Sequence, residues 1–409
     1  MYFGEVCIMR RGLVSLFAII SLMGGIFMLT ACTQERTEVT LRYPVSDTRG
    51  TTAERTVVWD DSRFSDTGRF SPEIARMCAV MCSCAGDSDI AQTNFGALGF
   101  EKTAKFSYGK DYNGDKVGVL IAKRRVGTDT LVAVVIRGTQ GREWYSNFDV
   151  GNGIEHRGFS LSADFVLERL QLYLVDYGIR EDEAKYLITG YSRGGAVANL
   201  VAQRLSAGGR PVFGYTFASP NTTTADSADS CRGIYNIVRD EDIFTYVPLS
   251  AWGYRRYGTD VVLSVTASST PDSVKAAFRD ITGDEYVGFD DTAPIRGFLQ
   301  TAQELAPSVE AYYNFAYPVG DSELTLYEYM NIAARFLSGE EDETDADLLM
   351  STLGSDYAEL TGFFMSGVDV EELLFSGDFS RSSVADSHAY VSYLAALDEF
   401  IESSRTDVY

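Results

Sequence analysis

The sequence predicts an α/β protein with a mostly parallel central sheet, flanking helices and a helical cap inserted late in the chain. Short apolar segments, including 131–136 and 186–189, alternate with helices or long connections, and that order is typical of parallel sheets. One segment leads directly into the turn Gly190-Tyr191-Ser192-Arg193-Gly194 and then into helical spacing. Beyond about residue 265 the apolar residues follow helical spacing alone, which indicates the cap.

Composition limits the classes of function. The chain has 409 residues, enough for one large domain or two smaller ones. Its formal net charge is −23. Nucleic-acid binding is therefore excluded as an expectation, because contacts to phosphate groups need a basic surface.

The N-terminus is typical of an exported chain. Arg10 and Arg11 precede the apolar stretch 13–29, which ends in Leu29-Thr30-Ala31-Cys32. A basic start, an apolar centre and small residues before a break indicate a secretory signal. The last four residues resemble the bacterial lipobox, and this resemblance implies cleavage before Cys32 and a lipid on that cysteine. A transmembrane anchor is the alternative, for which the stretch is short.

Changes in composition and in the spacing of apolar residues divide the chain into five predicted parts. These are a signal peptide over 1–31, a polar tether over 32–55, an α/β core over 56–264, a helical cap over 265–380 and a C-terminal core segment over 381–409.

Several core elements follow from local spacing. Residues 72–85 predict a helix with Ser71 as its N-cap and Pro72 at its first position. Asn113-Gly114 predicts the turn of a β-hairpin. The β-branched run 131–136 predicts a central strand that is buried on both faces. The other predicted core elements are a helix over 159–177, strands over 186–189, 212–217 and 234–238, and a final helix over 385–403.

The cap contains apolar and aromatic side chains at helical spacing. It predicts helices over 271–279, 296–316, 323–338, 345–353, 355–366 and 369–376, with no further strand. These side chains either line an acyl-binding cleft against the sheet or form the core of the cap itself.

Four cysteines remain once Cys7 is assigned to the signal and Cys32 to the lipid. They are Cys78, Cys82, Cys84 and Cys231. Small buried residues on a helix and one disulfide of unspecified pairing are the two main interpretations. A zinc site would need all four thiolates in suitable geometry, and we expect no metal.

The turn at Ser192 is the strongest indication of chemistry. A G-x-S-x-G pentapeptide between a strand and a helix is the nucleophile elbow of α/β-hydrolases. Its glycines are needed because the tight turn leaves no room for Cβ atoms near the helix. An ordinary glycine-rich turn is the alternative.

A serine nucleophile requires a base and an acid that orients the base. In α/β-hydrolases these follow in the order Ser, Asp or Glu, His. The chain has two histidines, His156 and His388, and His388 alone follows Ser192. The acid should follow the strand 234–238, where Asp240, Glu241 and Asp242 compete.

A resemblance to class 3 lipases separates these carboxylates. Asp242-Ile243-Phe244-Thr245-Tyr246-Val247-Pro248 resembles the family's D-x-V-P-x-L-P segment, whose aspartate belongs to the triad, although Thr245 stands where the family usually has its first proline. The resemblance therefore implies Asp242. Val135-Ile136-Arg137-Gly138-Thr139 followed by Trp144 resembles the family's strand F-R-G-T/S with its tryptophan. It implies an oxyanion-hole role for Thr139, with the backbone N–H of Arg193 as the second donor.

Further segments extend the resemblance. His156-Arg157-Gly158-Phe159 resembles H-x-G-F, in which the histidine is structural, and Thr216-Phe217-Ala218-Ser219-Pro220 resembles T-F-G-x-P. His388 to Tyr393 resembles the H-x-x-x-x-Y spacing of lipase-like relatives. The chain departs from the usual G-H-S-L-G at Tyr191 and Arg193.

The sequence thus predicts a membrane-tethered serine esterase or lipase of the α/β-hydrolase fold that acts on acylglycerols or phospholipids. Ser192, Asp242 and His388 form its triad, and no cofactor is implied. Lipid on Cys32 would hold it at a membrane surface. The alternative is a non-catalytic surface lipoprotein that binds a lipid or a partner. Hydrogen-bond reach between Ser192 and His388 would favour the enzyme.

Overall fold

The structure is a computed structural model. It describes residues 36–45, 50–108, 117–140, 142–263, 270–289, 292–319, 322–328, 330–331 and 381–406. The predicted signal, Cys32, the turn at 113–114 and the predicted helices beyond 332 lie outside the described residues.

A seven-stranded sheet in the order β3-β4-β5-β6-β7-β8-β9 forms the centre of the described part. Its strands are β3 Glu101–Phe106, β4 Val119–Val126, β5 Asp129–Ile136, β6 Ala184–Tyr191, β7 Val212–Phe217, β8 Ile234–Val238 and β9 Thr259–Val262. The pairs β3–β4 and β4–β5 are antiparallel, and every pair from β5 to β9 is parallel. The predicted α/β fold with a mostly parallel sheet is confirmed.

Helices cover both faces of this sheet, and further helices lie in the predicted cap. They are α1 Pro72–Ser83, α2 Ser88–Ala97, α3 Glu143–Asn147, α4 Arg157–Asp176, α5 Arg193–Ala207, α6 Asp272–Thr282, α7 Ala293–Leu305, α8 Val309–Asn314, α9 Arg381–Ser387 and α10 Tyr390–Thr406. Ser71 caps α1 through its side chain, which accepts a hydrogen bond from Ile74 N–H. Among the described residues, no helix has the length and apolar character needed to cross a bilayer.

Two apolar cores lie on opposite faces of the sheet. Along β5, Leu131, Ala133 and Val135 face the core that contains α1 and α10. The alternate residues Val132 and Val134 face the core formed with α4 and α5. This alternation explains the unbroken apolar run of β5, because a strand covered on both faces needs apolar side chains at every position.

The predicted tether is wrong from residue 36 onward. Strands β1 Arg36–Pro44 and β2 Thr52–Asp60 form an antiparallel pair. Leu41 and Tyr43 are buried, as are Val57 and Trp59, and all four belong to the core around α1. Along both strands these buried apolar residues alternate with mostly polar residues that face solvent. The composition of the segment is therefore polar, although one face of the strand pair belongs to the core.

The cap is less uniformly helical than its spacing predicts. Helices α6, α7 and α8 lie in it, but strands β10 Ala316–Val319 and β11 Ser322–Thr325 form an antiparallel hairpin. The predicted helix over 296–316 is divided between α7 and α8. Ser308 starts α8 by accepting the Ala311 N–H at 3.1 Å, and Pro307 before it disfavours a continuous helix.

The cysteines on α1 are buried and free. Cys78, Cys82 and Cys84 carry no disulfide, and the half-buried Cys231 is also free. Burial raises the pKa of the Cys82 thiol to about 12, so it stays protonated. In the described part of the chain no cluster of metal-ligating side chains occurs. Cys82 Sγ lies 3.1 Å from Thr189 Oγ1, and Cys84 Sγ donates to the Arg42 carbonyl oxygen at 3.1 Å.

Candidate active site

Ser192 lies at the apex of the turn between β6 and α5. Its backbone has φ 56° and ψ −126°, a region that non-glycine residues rarely occupy. A Cβ on Gly190 would lie 2.1 Å from the Gly194 carbonyl oxygen, and one on Gly194 would lie 2.4 Å from the Ile136 carbonyl oxygen. Glycine is therefore required on both sides of the serine, as the elbow interpretation predicts.

His388 lies within hydrogen-bond distance of both Ser192 and Asp242, the other two residues predicted as a triad. His388 Nε2 is 2.8 Å from Ser192 Oγ, and His388 Nδ1 is 2.8 Å from Asp242 Oδ2. A carboxylate accepts hydrogen bonds, so Nδ1 carries the ring proton and Nε2 is free to accept the serine proton. The parallel sheet explains this convergence, because β6 and β8 end at the same edge and deliver Ser192 and Asp242 there.

Asp242 is fully buried and its carboxylate is well satisfied. Phe244 N–H donates to Oδ1 at 3.0 Å, and the Tyr393 hydroxyl donates to Oδ2 at 2.7 Å. Burial, followed by the charge of Asp242, raises the pKa of Tyr393, so this hydroxyl remains a donor. The spacing from His388 to Tyr393 marked this residue, but its contact with Asp242 required the structure.

The segment that carries His388 lies between α9 and α10. Its backbone is held by the Tyr191 hydroxyl, which donates to the His388 carbonyl oxygen. The buried Arg239 donates to the Ser387 carbonyl oxygen at 3.5 Å and to the Tyr286 hydroxyl of the cap at 3.2 Å. Sequence reasoning missed both Tyr191 and Arg239, and no local spacing identifies either contact.

Thr139 follows β5 at the same sheet edge, opposite the start of α5. The backbone N–H of Arg193 opens α5, whose N-terminus favours negative charge. The Asn147 amide donates to Thr139 Oγ1 at 3.0 Å. Behind Thr139, a buried ion pair joins Arg137 to Glu143 at 2.7 Å, which fixes the loop between β5 and α3.

His156 is not part of the Ser192 cluster. It is completely buried and caps α4, where its Nδ1 accepts from Phe159 N–H at 3.4 Å. Nε2 must then carry the proton, and it lies 3.2 Å from the Asn147 carbonyl oxygen. Burial, with a contribution from the positive charge of Arg193, lowers the pKa of His156 to about 3. The histidine is therefore neutral and supports the loop that carries Asn147.

An apolar cavity of about 460 Å³ opens beside Ser192. It is formed between the sheet edge and the cap. Its lining includes Trp144, Phe148, Val150, Phe159, Phe244, Val247, Pro248, Leu249, Trp252, Phe298, Ala302, Tyr312, Leu326 and Met330, together with Thr139, Asn147, Ser192 and Arg193. Such a volume is in the range of small-molecule sites, and its walls suit a hydrocarbon chain.

The sheet and the elbow define an α/β-hydrolase fold. Residues 126–252 match the family model described as Lipase (class 3). The match shows that this segment is similar to class 3 lipases. The matched part contains Thr139, Ser192 and Asp242, whereas His388 lies outside it.

Individual proteins show the same similarity. The chain is 29% identical over 147 residues to the secreted mono- and diacylglycerol lipase 1 of Fusarium solani, covering 32% of this chain and 44% of that protein. The chain thus spans less than half the length of this curated relative.

Two solved fungal structures are also similar. The Rhizomucor miehei lipase–propeptide complex gives a TM-score of 0.35 at 20% identity, covering 44% of this chain and 64% of that one. The lipase from Rhizopus microsporus var. chinensis gives a TM-score of 0.34 at 21% identity, covering 46% of this chain and 73% of that one.

Proposed function

We propose that this protein is a serine ester hydrolase of the lipase type that cleaves esters with apolar acyl chains, such as acylglycerols. The observation that carries the proposal is the 2.8 Å contact between Ser192 Oγ and His388 Nε2 at the mouth of an apolar cavity. The same contact favours an enzyme over a non-catalytic lipid-binding protein, for which these two side chains need not meet.

In the proposed mechanism Ser192 Oγ attacks the ester carbonyl carbon while His388 Nε2 takes the serine proton. The tetrahedral intermediate collapses, the bond to the alkoxy oxygen breaks, and His388 returns the proton to the leaving alcohol. Water then attacks the acyl-enzyme while His388 accepts its proton. Collapse of the second intermediate releases the carboxylic acid and restores the serine.

Asp242 and the oxyanion donors support these steps. The Asp242 carboxylate accepts from His388 Nδ1, which holds the productive tautomer and stabilises the imidazolium as it forms. The backbone N–H groups of Thr139 and Arg193 are the proposed donors to the carbonyl oxygen. They gain strength as negative charge develops on that oxygen, so they stabilise the transition state more than the ester.

The cavity supports an apolar acyl group on the proposed substrate. Its aromatic and aliphatic lining offers few partners for a polar or charged acyl group, and burying such a group without a partner is costly. We therefore propose acylglycerols as substrates, in line with the name of the Fusarium relative, and phospholipids as a second ester class to be tested.

The test uses the full-length protein in detergent on p-nitrophenyl esters from acetyl to palmitoyl, and on mono-, di- and triacylglycerols and a phosphatidylcholine. Ser192→Ala removes the nucleophile. Ser206→Ala, at the far end of α5, is the matched control. Activity present in the parent and control but absent in Ser192→Ala supports the proposal. A folded parent that hydrolyses none of these esters and does not react with a fluorophosphonate contradicts it.

We also propose that Cys32 carries the lipid that attaches the protein to a membrane, on the strength of Leu29-Thr30-Ala31-Cys32. Palmitate labelling in a bacterial host should mark the parent and a Cys231→Ala control, but not Cys32→Ala. Equal labelling of Cys32→Ala would contradict this anchor.

A further inference from the structure

The side chain of Arg193 is buried, although its backbone N–H is one of the two proposed oxyanion donors. Its Nη1 donates to Asn147 Oδ1 at 3.0 Å, and its Nη2 donates to Ser162 Oγ at 2.7 Å. Nη1 also donates to Ser146 Oγ. The guanidinium therefore reaches the end of helix α3 through Asn147 and helix α4 through Ser162.

These contacts fix the orientation of the Asn147 amide. A guanidinium has donors and no acceptor, so the atom of Asn147 that faces Arg193 must be the oxygen. The amide nitrogen must then face Thr139, where it donates to Oγ1. The opposite orientation would set the amide N–H groups against the guanidinium.

The orientation of the amide in turn sets the role of the Thr139 hydroxyl. A hydroxyl has one proton to donate, and its oxygen here accepts from Asn147. Among the described residues, the Asn147 amide is the single hydrogen-bond partner of Thr139 Oγ1. Its own proton is therefore not spent on Asn147 and remains available to the cavity that Thr139 and Ser192 both line.

We propose that Arg193 is a positioning residue that makes the Thr139 hydroxyl a donor to the acyl carbonyl oxygen. The inference rests on the proposed ester hydrolysis and on the oxyanion role of Thr139, and it adds a role for the Arg193 side chain. Arg193 acts through Asn147 and does not itself touch the substrate with its side chain.

The first experiment compares Thr139→Val with Thr139→Ser. Valine keeps the backbone N–H and the shape but removes the hydroxyl, and serine retains the hydroxyl. We expect Thr139→Val to lower kcat on the order of 10²-fold, the lower end for loss of an oxyanion donor, with KM nearly unchanged. Thr139→Ser should keep most of the activity.

The second experiment tests Arg193 by double-mutant cycles. Arg193→Met should lower kcat, but should cost little more in the Thr139→Val background, because the two changes remove the same hydrogen bond. Asn147→Asp keeps the contact with Arg193 and turns it into an ion pair, but its carboxylate can accept the Thr139 proton. It should likewise lower kcat strongly in the parent and little in Thr139→Val. This variant serves if Arg193→Met does not fold, as judged by thermal unfolding.

Independent losses from Thr139→Val and from Arg193→Met or Asn147→Asp would overturn the proposal, as would full kcat in Thr139→Val. Failure of the proposed function is a different result. In that case the parent protein itself lacks Ser192-dependent activity, and no cycle can be measured.

Discussion

Tyr191 donates its hydroxyl to the backbone carbonyl oxygen of His388, although the two residues are 197 positions apart in the chain. Tyr191 directly precedes Ser192, so one contact links the turn of the serine to the segment of the histidine. The rings of Tyr191 and His388 also lie 5.4 Å apart. This contact therefore connects the proposed base, which follows the predicted cap in sequence, to the turn that carries Ser192.

Tyr191→Phe should lower kcat and leave KM nearly unchanged. The change removes one hydrogen bond that positions His388 and preserves the ring. A typical net contribution of about 1 kcal/mol corresponds to about five-fold in rate. Steady-state kinetics on a soluble p-nitrophenyl ester measures both constants.

Tyr390→Phe is the matched control for Tyr191→Phe. The Tyr390 hydroxyl also donates to a backbone carbonyl, but to that of Pro44 in β1. We expect this variant to lose some stability and to retain kcat. Equal kcat losses in the two variants would show that Tyr191 acts through general stability instead of through His388.

Asp242→Asn should reduce kcat by on the order of 10⁴-fold, because an amide cannot hold the histidine tautomer that leaves Nε2 free. Asp240→Asn, two residues earlier, should retain activity. The carboxylate that lies 2.8 Å from His388 Nδ1 is that of Asp242. Full activity of Asp242→Asn would remove Asp242 from the proposed triad.

The sheet and the Ser192 turn could be predicted because they depend on local rules. Each prediction depended on residues that are close together in the sequence. Examples are the apolar run of β5, the glycines around Ser192 and the N-cap at Ser71. Selecting Asp242 needed more, since Asp240 and Glu241 follow the same strand. The structure brings Asp242 to His388 and pairs Arg239 with Glu241 at 3.7 Å.

Long-range contacts could not be predicted in the same way. The pair β1–β2 looks polar because half of its side chains face water, and its core partners lie on other elements. In the sequence, Tyr191 and Arg193 were only departures from the usual G-H-S-L-G pattern, with no role indicated for their side chains. Their hydroxyl and guanidinium partners, His388 and Asn147, are distant in sequence, so the roles of Tyr191 and Arg193 emerge from packing alone.

Gly194→Ala should destabilise the fold as well as abolish activity. Its Cβ would lie 2.4 Å from the Ile136 carbonyl oxygen, and forcing atoms into a packed core costs roughly 3 kcal/mol. Gly96→Ala in α2 is the control, because its Cβ would meet no atom within 4 Å. We expect Gly96→Ala to gain up to about 1 kcal/mol from helix propensity. Urea unfolding compares them, and equal stability of both variants would contradict the packing argument.

His156 should make the protein less stable in acid. Its pKa is lowered from 6.5 to about 3 in the folded protein, so the unfolded chain binds the proton first as pH falls. Its contribution to stability is complete above pH ~6.5 and is lost at about 1.4 kcal/mol per pH unit below that value.

His156→Asn is the variant that tests this acid sensitivity. It keeps an acceptor near Phe159 N–H and cannot titrate. The free energy of unfolding, measured from pH 7 to pH 4, should fall less steeply in the variant than in the parent. Parallel profiles of unfolding free energy against pH would show that His156 does not cause the loss of stability in acid.

The cavity between the sheet edge and α7 should set the acyl-chain preference. Ala302 lines it, and Ala302→Phe adds a ring where the hydrocarbon chain is proposed to lie. We expect kcat/KM to fall for palmitoyl esters, because bulk in an apolar pocket excludes the longer chain, and to change little for acetyl esters. Gln300→Phe is the matched control, since Gln300 is exposed on the same helix. A chain-length profile for Ala302→Phe that equals those of the parent and of Gln300→Phe would place the acyl chain outside this cavity.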